Sequence, residues 1–332
     1  MSAALLVTAL RDPEVASGFD AAQLGAVIAT ARAERLIGTL AYRLNGVALP
    51  GAVERLLSDA RASAEEGRRA ALWEVEMARR ALASVCPVIL LKGSAFVAAG
   101  LTAGVGRAIG DLDILVPREK LDAAEAALLA AGWEWVKPDP YDDEYYRRWM
   151  HELPPLIHRA RDAMIDVHHT ILPLTARITP DANALLQAAE PLSERLAILS
   201  WEDRIVHAAA HLFADGDLAG GLRNLWDIHC LLGERSFAGL TARAKHHGLS
   251  REVARAVRLS RHLFGTEVEA SAITLSDRFY LRRLLARDGW GRQTRPFTRL
   301  AFYLRSHWLR MPPLQLARHL WIKWRKGGPG PA

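Results

Sequence analysis

The sequence predicts an α+β protein, mostly helical, in which a small mixed β-sheet is held between an N-terminal and a C-terminal helical region. Three observations predict it. Half of the 332 residues are hydrophobic, and on both flanks they recur at the three-and-four spacing of amphipathic helices. The run Val88-Ile89-Leu90-Leu91 is β-branched at its start and bounded by Pro87 and Gly93, the length and punctuation of a buried strand. Asp111 to Val116, stopped by Pro117, and Met164 to His168 read as two further strands.

Taken in order, residues 1–85 form the N-terminal helical region. Ala21 to Leu44 carries an apolar stripe at Leu24, Val27, Ile28, Ala31, Leu36, Leu40 and Leu44. Gly51 to Leu82 is longer, charged on one face and apolar at Val53, Leu56, Leu57, Leu72, Val75 and Leu82. Residues 86–175 form the sheet domain. After the first strand, Gly93-Ser94 turns the chain into a helical segment from Ala95 to about Ala99. A glycine-rich passage (Gly100, Gly104, Gly106, Gly110) leads to the second strand. Arg118 to Ala131 reads as a helix stopped by Gly132, and Trp133 to Lys137 as a strand. Tyr141 to Arg148, aromatic and charged, reads as a loop over the site. Leu153 to His158 and Met164 to His168 pair as antiparallel strands about Arg161-Asp162. Residues 190–326 read as helical, with segments at Trp201 to Phe213, Leu222 to Leu232, Ser250 to Phe264 and Leu275 to Arg287. Residues 327–332 read as a disordered tail.

The bulk properties exclude several classes. Two cysteines, Cys86 and Cys230, cannot build a disulfide framework, and nothing around them resembles a metal knuckle. The apolar patch from Ala3 to Leu10 has no basic run before it and no cleavage site. No run approaches the roughly 20 apolar residues of a membrane span, so a cytoplasmic protein is expected. The formal charge of +6 permits anionic partners, but an arginine-rich composition gives the same number.

The chemistry concentrates in the sheet domain. Side chains on a strand alternate, so Asp111 and Asp113 point the same way while Leu112 and Ile114 point into the core. Adjacent carboxylates repel unless neutralised, and Mg²⁺ is held by one or two carboxylates together with substrate phosphates. Gly93 and Ser94 offer amides and a hydroxyl at a helix start, a combination that cradles phosphate oxygens. Lys92 and Arg107 flank these elements and carry charge that can neutralise a triphosphate.

A Gly-Ser turn, then Asp-x-Asp on a strand 17 residues later, then a third carboxylate at Asp166 about 50 residues on, is similar to the signature of the DNA polymerase β-type nucleotidyltransferase superfamily. The wording LLKGSAF, GRAIGDLDILVP, IDVHHT, WEDRIVHAAAHLF and LRNLWDIHCLL, from roughly Ala29 to Leu232, resembles the bacterial family called uncharacterised nucleotidyltransferase. The resemblance implies a nucleotidyltransferase palm. It also implies an enzyme moving a nucleoside monophosphate from an NTP, ATP foremost, to a hydroxyl or phosphate acceptor such as a peptide or small metabolite. Two Mg²⁺ ions, with Mn²⁺ as a substitute, are expected on Asp111, Asp113 and Asp166. Asp111 and Asp113 would grip the triphosphate metal, and Asp166 would help bind the second and take the acceptor's proton. Lys92, Gly93, Ser94 and Arg107 are the expected nucleotide-binding residues.

Plainer readings stand beside these. Asp111 can be a turn cap and Asp166 an edge-strand charge. His168, on the same strand face as Asp166, either orients it or touches the acceptor, or is a structural histidine. His207 and His211 lie four apart on one helical face, with Asp203 a turn earlier. Ala208 follows His207, so a zinc-protease motif fails. The pair either contacts base or acceptor or stitches its helix to the palm, and the resemblance sets Asp227 beside the same cleft. A non-catalytic nucleotide- or partner-binding protein of the same fold predicts an eroded carboxylate, and none is eroded. An antitoxin-like modifier of protein or tRNA stays open. The tail mixes Arg299, Arg305, Arg310, Arg318, Lys323 and Arg325 with Trp308, Trp321 and Trp324. That mixture suits membrane surfaces and nucleic acids, but also an arginine-bearing helix lying over its own domain. No recognition motif supports nucleic-acid binding. The base preference and the oligomeric state leave no mark in the sequence.

Overall fold

The computed structural model describes residues 2–235, 238–312, 316 and 321. Helix outweighs sheet, as the hydrophobic spacing predicts, and one seven-stranded mixed sheet runs through the middle. Four N-terminal helices precede it: α1 (Ser2–Arg11), α2 (Ala21–Ala33), α3 (Ile37–Arg43) and α4 (Gly51–Ala81). The apolar stripe expected over Ala21 to Leu44 is therefore two helices. The chain breaks at Arg35, whose φ of +55° no helix tolerates. At its start Asp20 and Gln23 form a reciprocal capping box.

Within the sheet domain the order is β1 (Val88–Leu90), α5 (Lys92–Ala98), β2 (Leu112–Leu115), α6 (Leu121–Ala130), β3 (Trp133–Trp135), α7 (Pro140–Trp149), β4 (Leu156–His158) and β5 (Met164–His168). The segment from Tyr141 to Arg148 is thus helical and not a loop. Asp139 caps it by accepting from the Tyr141 and Asp142 amides, and Pro140 occupies its first turn. Arg147 and Arg148 pair four residues back with Asp143 and Glu144.

The C-terminal part opens with α8 (Ala182–Gln187), then β6 (Glu190–Ser193) and β7 (Leu196–Ile198). These two strands belong to the sheet, so residues 190–198 are not part of a purely helical region. The sheet order is β3-β4-β5-β2-β1-β7-β6. Strand β7 lies parallel to β1, and β2 lies antiparallel to β1 and parallel to β5. Six helices follow: α9 (Trp201–Ala210), α10 (Gly221–Glu234), α11 (Leu240–His246), α12 (Ser250–Phe264), α13 (Leu275–Leu284) and α14 (Pro296–Arg310). Helix α9 runs on into a π-helical turn at His211–Asp215, a local widening common near functional sites.

The core is continuous from the N-terminal helices through the sheet to α10 and α12. Leu90, Leu91, Ile114 and Leu115 at its centre have no exposed surface. Each such leucine or isoleucine contributes about 1.5–3 kcal/mol through burial. Two contacts fix how the N-terminal helices meet the sheet domain. Arg161, at the β4–β5 turn, pairs with Glu74 of α4 at 2.7 Å and lies over the Trp133 ring. A Cβ on Gly106 would stand 2.4 Å from the Gly38 backbone, so only glycine lets α3 touch the loop that carries Arg107. No described helix is long and apolar enough to cross a membrane.

Candidate active site

Where β1 ends, the chain enters α5 through Lys92, whose φ is +48°. Left-handed backbone at a residue with a side chain costs of order 1 kcal/mol. The side chain recovers it: Lys92 Nζ donates to Asp113 Oδ1 at 2.6 Å. The same oxygen lies 3.0 Å from His168 Nε2. Burial by itself would raise the Asp113 carboxyl, but Lys92 and His168 outweigh it and hold the group well below the usual carboxylate range. Burial likewise opposes the charge on Lys92, and Asp113 overcomes it, so the ammonium pKa is raised.

Asp113 faces Asp166 in register across the parallel β2–β5 pair. Asp166 is pushed up to about 7, first by burial and then by the charges of Glu152 and Asp113. No ion pair among the described residues reaches Asp166, in contrast to Asp113. Asp111 sits one residue before β2, exposed, and lines the same cavity as Asp113. These three aspartates offer oxygen donors only, and among the described residues no ion pair is made with Asp166. That donor chemistry and that lack of an ion partner suit a hard divalent cation of the Mg²⁺ class.

The cavity has a volume of about 530 Å³, and its wall includes Lys92, Gly93, Arg107, Asp111, Asp113, His207, His211 and Asp227. Eight of the eleven sequence-predicted site residues thus meet at one opening, although they come from α5, the glycine-rich loop, β2, α9 with the turn that follows it, and α10. Ser94, Asp166 and His168 are not part of that wall. Ser94 is buried, and its hydroxyl donates back to the Leu91 carbonyl at 2.9 Å, so that hydrogen is spent within the first turn of α5.

Gly93 has a specific reason to lack a side chain. A Cβ there would stand 2.4 Å from Arg107 Nη1 and 2.8 Å from its Cζ, so the guanidinium lies against the bare backbone. Asp227 holds it there, accepting from Arg107 Nε at 3.1 Å on one oxygen and from Arg223 on the other. Arg223 in turn donates to Thr39 Oγ1 at 2.6 Å. Both carboxylate oxygens of Asp227 are therefore engaged with arginine, and its place is to position Arg107.

His207 is buried, and burial, then Lys92, lowers its pKa well below the ordinary histidine value. Burial and Lys92 also bring His211 down to about 4. Burial thus favours the neutral form of both imidazoles, in which one ring nitrogen donates and the other accepts. Asp203 takes no part in the cavity. It has no exposed surface and is held by Arg243 at 2.6 Å and His247 at 3.2 Å, which fastens α9 to α11.

Two residues near the acids escaped the sequence reading. Glu152 pairs through its backbone with His168, and its carboxylate stands 3.4 Å from His168 Nδ1. Burial raises its pKa, opposed by His168 and Lys92. Tyr146 of α7 is pushed up to about 12 by burial and then by Glu152 and Asp166. Tyr146 lies within the aromatic segment that the sequence sets over the site, where nothing singles it out; Glu152 gave no signal.

Arg305 and Arg310 of α14 turn inward, whereas Arg299 is exposed. Arg305 donates to the Phe213 carbonyl at 2.6 Å, and Arg310 binds both the carbonyl and the carboxylate of Asp215. Arg177 stacks 4.3 Å over Trp308. This is the arrangement of a helix fastened over its own domain. Arg318, Lys323, Trp324, Arg325 and the expected disordered tail lie outside the described residues.

Comparison with known proteins adds one match. The family model described as uncharacterised nucleotidyltransferase covers residues 20–265. No curated protein and no solved structure matches the chain.

Proposed function

The chain belongs to the uncharacterised nucleotidyltransferase family, and from that premise we propose that it transfers a nucleoside monophosphate from an NTP to a hydroxyl or phosphate acceptor. The observation that carries this reading is the in-register pairing of Asp113 with Asp166, with Asp111 at the mouth of a cavity that also holds Lys92 and Arg107. When bound to Asp111, Asp113 and Asp166, a divalent cation of the Mg²⁺ class supplies positive charge to the phosphate oxygens. The residues of the chain do the rest. Arg107, fixed by Asp227 against Gly93, presents a guanidinium to the triphosphate. The first amides of α5, at Gly93 and Ser94, have no partner within the helix and can meet a phosphate oxygen. Lys92 holds Asp113 ionised, and His168 keeps that carboxylate oriented. Asp166, beside Asp113, receives the acceptor proton. His207 and His211, neutral and on the same wall, are suited to hydrogen-bond base or acceptor.

ATP is the first donor to test, and a peptide or small metabolite the first acceptor class. Isothermal titration with each NTP, with and without Mg²⁺, beside an Asp111→Asn/Asp113→Asn variant, tests the reading. Mg²⁺-dependent binding of one NTP that the variant loses supports it, and label from that α-phosphate should then appear on an acceptor in cell extract. No binding of any NTP by the native chain sinks it.

A further inference from the structure

The proposed transfer uses only the Nε2 side of His168 and leaves Glu152 and His151 without a role. His168 Nε2 is committed to Asp113 Oδ1 at 3.0 Å, an oxygen that also accepts from Lys92. With Nε2 turned to Asp113, Nδ1 is the ring nitrogen on the opposite side, facing away from the aspartates. The residue is 1% exposed, and Nδ1 has no hydrogen-bond partner. What it meets is Glu152 Oε2 at 3.4 Å. A buried ring nitrogen without a hydrogen-bond partner, set beside a carboxylate oxygen, calls for an explanation, and a cation held between the two atoms supplies one.

His151 closes the third side. Its Nε2 is 3.7 Å from the same Glu152 oxygen, and the two imidazole rings are 5.1 Å apart. One donor atom from each of the three residues falls within 4.8 Å of the others. The donors around a tetrahedral Zn²⁺, bonded at about 2.0–2.1 Å, stand about 3.3 Å apart, so a small contraction closes the site. Behind it, Asp113 on the far nitrogen of His168 is the usual support of a metal-bound histidine.

We propose that His151, Glu152 and His168 form a second site, which takes a transition-metal dication of the Zn²⁺ class and is separate from the oxygen-only aspartate group. Two imidazoles and one carboxylate prefer such an ion to Mg²⁺. Because His168 touches Asp113, an ion here braces the carboxylate that the transfer site depends on.

The test uses tag-free, full-length protein stripped with EDTA and titrated with Co²⁺ and Zn²⁺. The expected result is one equivalent of Co²⁺ with the visible bands of nitrogen ligation, displaced by one equivalent of Zn²⁺ and not by excess Mg²⁺. Asp111→Asn should keep this binding, whereas His151→Ala and Glu152→Gln should each weaken it at least about 10-fold. Zn²⁺ should also raise the unfolding temperature of the native chain, a readout that needs no variant. The proposal is overturned if the native chain binds neither ion, if Mg²⁺ displaces Co²⁺, if both variants titrate like the native chain, or if Zn²⁺ leaves the unfolding temperature unchanged. None of these readouts involves nucleotide, so they stand or fall apart from the transferase reading.

Discussion

Replacing Asp227 by asparagine tests the frame that holds Arg107. The native carboxylate accepts from two guanidiniums, with side-chain exposures of 13% for Arg107 and 5% for Arg223. At about 3 Å and an effective dielectric near 20, one such contact is worth about 5 kcal/mol gross, most of it offset by desolvation. The amide removes the negative charge but leaves both cations in place, and breaking a buried pair in this way costs about 3–5 kcal/mol. For a chain of this length the unfolding entropy is about 0.7 kcal/mol/K, so about 4 kcal/mol lowers Tm by about 6 °C. Scanning calorimetry of the native chain and Asp227→Asn reads this directly. A second variant, Asp227→Leu with Arg107→Met and Arg223→Met, should recover much of the loss, because an apolar cluster needs no counter-charge. A melting temperature for Asp227→Asn within about 1 °C of native would refute the reasoning, since it would mean that solvent already neutralises the arginines.

Three other outcomes follow from the same geometry. Gly93→Ala should displace Arg107 and weaken NTP binding measured by titration while leaving the fold intact; unchanged affinity would show that the guanidinium does not meet the nucleotide. Ile114→Ala, at a position with no exposed surface, should cost about 2–5 kcal/mol in urea unfolding, and a smaller loss would mean the sheet collapses around the gap. His229, between Trp226 and Phe264 and 2.7 Å from Thr266 Oγ1, has its pKa brought down to about 4 by burial. Below pH 6.5 the unfolded chain takes up a proton that the folded chain refuses until about pH 4. Stability should therefore fall across that window, by about 2 kcal/mol for this residue once its partial exposure is discounted. His229→Gln should flatten that fall in unfolding experiments from pH 7 to 4, and an unaltered slope would remove His229 as a cause.

Much of this was legible because the signals are local. The β1 run, the Asp-x-Asp strand and the Ser250 to Phe264 helix each carry their pattern within one element, and the structure places them there. Helix α7 was equally local, with Asp139 as cap, Pro140 after it and acids before bases. Its aromatic content masked a helix signature that was present. Strands β6 and β7 were not legible: each spans four residues or fewer, Pro191 interrupts the first, and only the pairing of β7 with β1 and of β6 with β7 makes them strands. At the site, residue type was enough to choose Lys92, Arg107 and the three aspartates. It could not say that Asp227 serves Arg107, or that Ser94 turns inward, because both depend on contacts between distant segments. Glu152 reaches His168 through a lone backbone bridge, which leaves no trace in spacing.

The parallel seat of β7 on β1 has a bearing on how the chain can be divided. A fragment ending near residue 175 would contain Asp111, Asp113 and Asp166, and would look complete by motif. It would also strip β1 of its neighbour on one side, baring the amides and carbonyls of a strand that belongs in the middle of the sheet, immediately before Lys92. Open edges of that kind recruit other chains. The smallest portion able to stand alone therefore reaches at least through Ile198, and two-piece complementation should succeed only where the break falls after β7.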